Sequence, residues 1–283
     1  MLEDCKHLLY MDDTKDDNME KIVLLGTAGA VTNSERDNVS LVYCAQKAPL
    51  GAYHCLLECG GSAAHKLAKL GIPYETLKDI IITHTHLDHL YGLPGLIFSM
   101  IYRDRLRTQP LRIYCPEPAV GALTALIELS DLAAHSSFPF EVRGVPMEES
   151  ALVLENQYAR ITSTPVEHAP DVPTIGIKIH SKPSNRIFVY SSDTGYSERF
   201  IHFAQQADIL CHECAGLAKH PIPALHSTAL QVGLVAEQSA AKQLVLVHLD
   251  TVANDDPAEI VAEVRQHFSG EVSVASDFDE YAI

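Results

Sequence analysis

The stretch IIITHTHLDHLYG, from Ile80 to Gly92, decides how this sequence is interpreted. A β-branched apolar run, typical of a buried strand, leads into three histidines and one aspartate within the six residues 84–89. Residues two apart in an extended segment point the same way, so His84 and His86 can direct both imidazoles at one point. Asp88 and His89 follow a short turn later. Imidazole and carboxylate are good zinc ligands, and the stretch therefore predicts a metal site at a strand end.

Three more ligand-type residues follow predicted strands later in the chain. His168 ends STPVEH, Asp193 follows FVYSS, and His248 ends LVLVH. A single histidine after a strand is more often structural than a ligand. Together, however, the three residues complement the first cluster, because two metal ions need more than four ligands. Asp193 is the best candidate for a carboxylate shared by both metals.

Length and composition indicate a globular protein. The chain has 283 residues, of which 47% are hydrophobic and 20% charged, and no Pro-rich or Gly/Ser-rich linker divides it. We therefore predict one domain over residues 21–283, preceded by an acidic lead-in over residues 1–20. The net charge of −16 argues against nucleic-acid binding by the whole surface.

Location is predicted from two further features of the sequence. No stretch approaches the ~20 apolar residues of a membrane span, so no membrane segment is predicted. The seven cysteines have no framework spacing, which favours free thiols and a cytoplasmic protein.

The predicted elements alternate along the chain. A first strand is expected at Lys21–Gly26, helices at Leu93–Arg107 and Ala119–Leu132, and a run of strands between Ala151 and Tyr190. Helices and strands alternate again in the last third. Interleaving of this kind implies an α/β protein with layered sheets and helices.

The motif HTHLDH, taken with the later ligands, resembles the metallo-β-lactamase superfamily, whose HxHxDH motif holds a binuclear centre in a four-layer αβ/βα sandwich. The resemblance runs from about Lys21 to the C-terminus. It assigns His84, His86 and His168 to a first metal and Asp88, His89 and His248 to a second, with Asp193 shared. The ions implied are two divalent metals, zinc before iron or manganese. An aspartate at position 193, where hydrolytic β-lactamases commonly carry cysteine, points to the phosphodiesterase, glyoxalase and lactonase branches.

Other segments resemble the ribonuclease Z group in particular. They are LLGTAGAVTNSERDNVS, LLECGGS, HEC at residues 212–214, HST at residues 226–228 and the ending VASDFDEYAI. The resemblance implies that His226 is a general acid near the leaving oxygen, oriented or tuned by Glu213. The structural alternatives are an N-cap environment for His226 and a buried ion pair for Glu213. Asp88 would accept or orient a proton while remaining a ligand.

One departure from this group concerns transfer RNA. Ribonuclease Z proteins that process tRNA usually carry a long Gly- and Pro-rich arm between the third metal histidine and the bridging aspartate. Only 24 residues separate His168 from Asp193 here, enough for two strands and a turn. The missing arm and the charge of −16 argue against efficient tRNA binding.

The predicted function is that of a binuclear metal-dependent hydrolase. The leading hypothesis is a phosphodiesterase that uses a metal-bridging hydroxide on a small anionic ester or a short nucleic acid, such as a cyclic nucleotide or an RNA end. Two alternatives stay open: a lactone, thioester or sulfate-ester hydrolase on the same metal centre, and a metal-binding scaffold without turnover. A homodimer also stays open, although the apolar helix around GLPGLIFSMIY is expected to belong to the core.

Overall fold

Two seven-stranded sheets face each other at the centre of the protein. The computed structural model describes residues 18–47, 49–103, 107–220, 225–253 and 255–283. Most of the predicted acidic lead-in therefore lies outside the described residues. Between the sheets, apolar side chains from both inner faces form one core that includes Ile22, Tyr43, Ile177 and Tyr190.

The first sheet has the strand order β14-β1-β2-β3-β4-β5-β6. Its strands are β1 (Asn18–Gly26), β2 (Ser40–Lys47), β3 (Gly51–Leu57), β4 (Leu77–Ile81), β5 (Leu111–Pro116), β6 (Phe140–Val145) and β14 (Glu280–Ala282). Strands β3 to β6 run parallel, whereas β14, β1, β2 and β3 pair antiparallel.

The second sheet has the order β13-β12-β11-β10-β9-β8-β7. Its strands are β7 (Ala151–Glu155), β8 (Ala159–Pro165), β9 (Ile175–Ser181), β10 (Ile187–Tyr190), β11 (Ile209–Glu213), β12 (Gln243–Val247) and β13 (Glu271–Val274). Strands β10 to β13 run parallel. Because the carboxyl ends of parallel strands meet at one edge, each sheet presents such an edge to the loops that follow its strands.

Helices cover the outer face of each sheet. The first sheet carries α1 (Ala63–Lys69), α2 (Leu87–Leu90), α3 (Leu93–Arg103) and α4 (Val120–Leu129); the second carries α5 (Glu198–Phe203), α6 (Ala229–Gln238) and α7 (Pro257–Val264). Apolar side chains fill both helix–sheet interfaces. The predicted four-layer αβ/βα sandwich of the metallo-β-lactamase type is thus confirmed.

The helix α3 shows why these segments adopt this structure. Its buried residues Leu93, Leu96, Ile97, Met100 and Ile101 recur at helical spacing, so one face packs on the first sheet. The expectation that this apolar helix belongs to the core therefore agrees with its buried face. The helix α6 begins with a capping box, in which Thr228 and Gln231 each satisfy the other's backbone N–H.

The structure differs from the predicted elements in four places, and at one of them α4 spans Val120–Leu129 where a helix at Ala119–Leu132 was predicted. The strand β1 begins at Asn18, three residues before the predicted start, and Glu20 is buried within it. The helix α3 ends at Arg103, and residues 104–106 of the predicted helix lie outside the described residues. The strand β6 was not predicted, because only Val145 among its residues is buried.

The connection between His168 and Asp193 consists of β9, a short turn and β10. This is the two-strand connection expected from the sequence, and a long arm has no place in it. Among the described residues, no helix combines the length and the apolar character that crossing a membrane requires.

Candidate metal centre

The first group of ligand-type side chains follows the parallel strand β4. The chain continues from Ile81 in an extended form, and His86 still has φ −66° and ψ 145°. His84 and His86 can therefore point the same way. The helix α2 then begins at Leu87, which places Asp88 in its first turn and His89 directly after it.

The second sheet supplies three further ligand-type residues from the ends of its strands. His168 follows β8, Asp193 follows β10 and His248 follows β12, and all three are at least nine-tenths buried. The backbone is left-handed at His248 (φ 54°) and at Ser192 (φ 57°), directly before Asp193. Such conformations cost about 1–3 kcal/mol each in a residue other than glycine, and they persist where surrounding structure holds them.

Four of the predicted ligands form one tight group. The Nε2 atoms of His84 and His168 each lie 3.1 Å from Nδ1 of His86. Oδ2 of Asp193 lies 3.7 Å from Nε2 of His84 and 3.9 Å from Nε2 of His168. The backbone oxygen of Leu225 lies 3.0 Å from Nδ1 of His168, which fixes the proton there and leaves Nε2 as a lone-pair donor.

The remaining predicted ligands form a second group on the other side of Asp193. Nε2 of His89 lies 3.5 Å from Oδ2 of Asp88 and 3.3 Å from Oδ1 of Asp193. Nε2 of His248 lies 3.4 Å from Oδ2 of Asp88 and 3.2 Å from Oδ2 of Asp193. The structure therefore brings all seven predicted ligands together, and Asp193 lies between the two groups.

The polar atoms of this site fit two bound cations. Both ring nitrogens of His89, Oδ1 of Asp193 and Nδ1 of His248 are buried and have no hydrogen-bond partner among the described residues. Burial lowers the pKa of His84 well below its usual value, which keeps the ring in the neutral, metal-binding form. Burial raises the pKa of Asp88, but hydrogen bonds with His248 and His89 lower it by more than burial raises it. The Asp88 carboxylate therefore stays ionised. Burial lowers the pKa of His89, but the charges of Asp193 and Glu58 raise it more, so this position favours a cation, whether a proton or a bound metal. Imidazoles beside carboxylates are a donor set for zinc and similar metals.

Glu58 is a buried member of the site that the sequence analysis did not identify. It follows β3 with a left-handed backbone (φ 62°) and is fully buried. Its Oε1 lies 3.3 Å from Nδ1 of His89, and its Oε2 accepts the Thr83 N–H at 3.1 Å. Glu58 thus stands behind His89, on the side away from Asp88 and Asp193, where carboxylates commonly orient metal-binding histidines. The available signal was the segment LLECGGS, which contains this residue.

We expect Glu58→Gln to weaken binding of the metal at Asp88, His89 and His248 by about 10–100-fold, because a carboxylate behind a histidine fixes its orientation and raises its basicity. Competition with a chromogenic chelator would measure the affinity of each ion. Glu20→Gln is a matched control, since Glu20 is also buried on the first sheet but accepts hydrogen bonds from the hydroxyl groups of Tyr43 and Ser181. Equal metal affinity in Glu58→Gln and Glu20→Gln would contradict the prediction.

The glycine at position 60 has a packing reason that the sequence alone does not reveal. A Cβ atom there would lie 1.9 Å from the backbone oxygen of Asp88. Only glycine lets this loop approach the ligand segment so closely. The backbone N–H of Cys59 also donates to the His89 oxygen at 2.7 Å. The segment after β3 therefore supports the ligand segment directly.

The predicted acid pair lies beside the second ligand group. Nδ1 of His226 lies 2.8 Å from Oε1 of Glu213, and Glu213 is fully buried at the end of β11. The same Oε1 accepts the backbone N–H of Thr194 at 3.0 Å. The His226 ring stacks on that of His248, with centroids 5.5 Å apart. A ring nitrogen of His226 lies within 4.8 Å of ligand atoms of Asp193 and His248.

A cavity of about 420 Å³ opens beside this group. His226 and His248 contribute to its wall, together with His220, Asp250 and the small or apolar residues Gly29, Ala30, Val31, Ala215, Val252 and Ala253. No lysine or arginine is among these described lining residues. The cavity therefore admits a small molecule to the metal-binding side chains.

Known proteins resemble this chain over most of its length. The ribonuclease Z of Natronomonas pharaonis is 27% identical to this chain, and the match covers 92% of this chain and 96% of that protein. The ribonuclease Z of Methanosarcina mazei is 26% identical, and the match covers 94% of this chain and 98% of that protein. The Bacillus subtilis metallo-β-lactamase fold protein YhfI superposes with a TM-score of 0.77 at 23% identity, covering 94% of this chain and all of that one.

The short form of human tRNase Z superposes with a TM-score of 0.71 at 23% identity, covering 93% of this chain and 99% of that one. These relatives confirm the predicted resemblance to the ribonuclease Z group. They also confirm the predicted class, a metal-dependent hydrolase of the ribonuclease Z and phosphodiesterase type. Residues 20–267 match the model of the family described as anti-Pycsar protein Apyc1, and the chain belongs to that family.

Proposed function

We propose that the protein hydrolyses a small or flexible phosphodiester, such as a cyclic nucleotide or the end of a short RNA. The observation that carries the proposal is the joint placement of two ligand groups and the His226–Glu213 pair. The pair lies beside the ligand groups, within reach of one cavity. A general acid at this position would protonate the alkoxide that leaves phosphorus.

The cavity supports a small substrate. A volume of about 420 Å³ is that of a site for a small molecule. Long nucleic acids are bound mainly through lysine and arginine contacts to phosphates. The described residues of the cavity wall include neither. The short connection between His168 and Asp193, formed by β9 and β10, leaves no place for a long tRNA-binding arm. We therefore propose that the protein binds tRNA inefficiently.

Names of similar proteins support phosphodiester chemistry. The relatives include ribonuclease Z proteins, and the superposed structures include a diphosphatase of the PhnP family and the yeast protein PDE1.

The metals would be held by the two groups described above, and we propose zinc, with iron or manganese as alternatives. When bound, two divalent ions supply Lewis-acid charge and lower the pKa of water so that it attacks at neutral pH. Asp88 accepts or orients the proton of the attacking water. The phosphorus–oxygen bond to the leaving group breaks, and the ring of His226 donates a proton to the departing alkoxide.

Hydrolysis of bis(p-nitrophenyl) phosphate tests the proposal. The metal-loaded protein should release p-nitrophenolate, and chelation followed by metal restoration should abolish and then restore the reaction. Three comparison substrates are a lactone, a thioester and p-nitrophenyl sulfate. A fully metallated protein that cleaves one of these but no phosphodiester would overturn the proposal, and one that cleaves no ester would indicate a metal-binding scaffold.

The Glu213→Gln variant is expected to lose activity at lower pH than the wild type. Burial lowers the pKa of His226, but the hydrogen bond and charge of Glu213 raise it more, to about 9 from an ordinary 6.5. A general acid must be protonated, so activity is present below its pKa and lost above it. Without Glu213 the alkaline loss should move from near pH 9 toward pH 6.5.

Rate profiles from pH 6 to 10 would measure this shift for Glu213→Gln. Glu237→Gln, at an exposed position of α6, is the control. An unshifted alkaline limb in Glu213→Gln would assign Glu213 a purely structural role.

We also propose a reducing cellular compartment for the protein. Six cysteines among the described residues are free, which supports a reducing compartment such as the cytoplasm. Sedimentation would test whether the protein forms a homodimer, which the sequence leaves open.

A further inference from the structure

A second cavity, of about 510 Å³, lies on the outer face of the first sheet, where strands β1 to β3 meet the end of α1. Its wall is formed partly by Val23, Leu70, Ile72 and Pro73, which are apolar. The volume and the mainly apolar wall are typical of small-molecule sites. Neither the metal-binding residues nor the His226–Glu213 pair belongs to this wall.

Three polar side chains reach the cavity from one row across the sheet. Lys21 on β1 is paired with Cys44 on β2, and Cys44 is paired with His54 on β3. Paired residues in adjacent strands project to the same face of a sheet. That face carries Val23, Val42 and Leu56 in the helix-side core, so the row points toward the cavity and not toward the second sheet.

Only one ring nitrogen of His54 has a hydrogen-bond partner among the described residues. Nδ1 lies 2.7 Å from Oγ1 of Thr76, and that hydroxyl donates its own proton to the Pro73 oxygen at 2.5 Å. Nδ1 must therefore carry the proton and donate it. Burial lowers the pKa of His54 to about 4, so the ring is neutral at physiological pH and Nε2 is an acceptor.

No described residue donates a hydrogen bond to Nε2 of His54, although the side chain is nine-tenths buried and lines the cavity. Nε2 is not one of the fully buried polar atoms that lack a partner, so it is reachable from the cavity, where an O–H or N–H group of a bound molecule would replace solvent as its donor.

Charge at the cavity favours an anion. Lys21 donates to Glu280 at 2.7 Å, and these two charges offset each other. Lys69, which also lines the cavity, lies with Nζ 4.1 Å from the centre of the Phe278 ring. The charged lining residues are thus two lysines and one glutamate, a local positive balance on a chain of net charge −16.

The cavity is separate from the metal centre along the same strands. His54 lies four residues before Glu58, about 13 Å along a strand at 3.3 Å per residue. Its partner Thr76 directly precedes β4, whose other end leads to His84. The two sites therefore occupy opposite ends of β3 and β4.

We propose that this cavity binds a small organic anion with an apolar body and one hydroxyl or N–H group. The hydroxyl or N–H donates to Nε2 of His54, the anionic group lies near Lys69 and Lys21, and the apolar body packs against Leu70 and Ile72. An ionised carboxylate group alone does not satisfy Nε2, because it only accepts hydrogen bonds.

Histidine ¹⁵N NMR of the metal-loaded protein would test this inference with matched probes. The probes are 4-hydroxybenzoate and 4-hydroxyphenylacetate, each beside its methyl ether, and His54→Leu assigns the His54 resonances. The His54 resonances report on this cavity, so a probe that also binds at the metal centre does not disturb the reading. We expect both hydroxy acids to shift the Nε2 resonance of His54.

Titration should show each ether binding about tenfold more weakly than its hydroxy acid, the factor expected for one lost hydrogen bond. Lys69→Met should weaken binding of the hydroxy acids and leave ester hydrolysis unchanged. Two results would overturn the inference: an unshifted His54 resonance with both hydroxy acids at millimolar concentration, or equal binding of each ether and its hydroxy acid. Both results are independent of whether the protein hydrolyses phosphodiesters.

Discussion

Replacing Asp193 with alanine is expected to reduce phosphodiester hydrolysis to the background rate. The carboxylate of Asp193 lies within 3.9 Å of ring nitrogens of His84, His89, His168 and His248. Its removal takes away the negative charge that both ligand groups share, so neither group keeps a complete donor set. We expect metal content to fall below two ions per chain together with turnover.

Elemental analysis and hydrolysis of bis(p-nitrophenyl) phosphate on the same sample would check Asp193→Ala. Asp208→Ala is the matched control, because Asp208 directly precedes β11 and accepts hydrogen bonds from Lys242 and the Ile187 N–H away from the site. A half-exposed ion pair of that kind contributes little to stability. Retention of two metals and of turnover in Asp193→Ala would refute the shared-ligand assignment.

Replacing His226 with alanine is expected to lower turnover by about 10²–10⁴-fold while metal content stays intact. His226 is held by the buried Glu213 and lies beside the second ligand group, yet all seven predicted ligands are available without it. The loss should be larger for a cyclic nucleotide, whose leaving group is an alkoxide, than for bis(p-nitrophenyl) phosphate, whose leaving group needs little protonation.

Comparison of the two substrates separates proton donation from a structural role of His226. Structural damage would lower both rates by the same factor, and loss of metal would make His226 a ligand. His202→Ala, at an exposed position on α5, controls for removal of a histidine as such. Equal losses on both substrates in His226→Ala would argue against the acid role.

The ligand set was predictable because each member is a chemically distinctive residue at the end of an apolar strand. The order of those strands, and hence the meeting of His168, Asp193 and His248 with the first cluster, followed only from the family resemblance. The described structure brings these residues together at distances that pattern alone does not give. Their roles as ligands remain a prediction that the metal analyses above would test.

Supporting residues were harder to predict. Nothing in the sequence distinguishes Glu58 from the other acidic residues. Its contact with His89 depends on how two loops pack against each other. The same is true of Gly60, which is needed only because the Asp88 oxygen lies against it. The His54 cavity had no sequence signal, since the row Lys21, Cys44 and His54 is assembled from three strands. The strand β6 was not predicted because it is an edge strand with one buried residue, so its sequence lacks the alternation of apolar and polar residues.

The division of the ligands between two sheets has a consequence for biosynthesis. Residues 84–89 leave the ribosome long before His248, and the nascent chain then holds only half of each metal's donors. The first sheet also gains its edge strand late, because β14 pairs with β1 only after residues 280–282 have been translated. Domains tend to fold as units as they emerge. A translation product that ends before His248 therefore carries the HTHLDH motif without the complete set of seven predicted ligands.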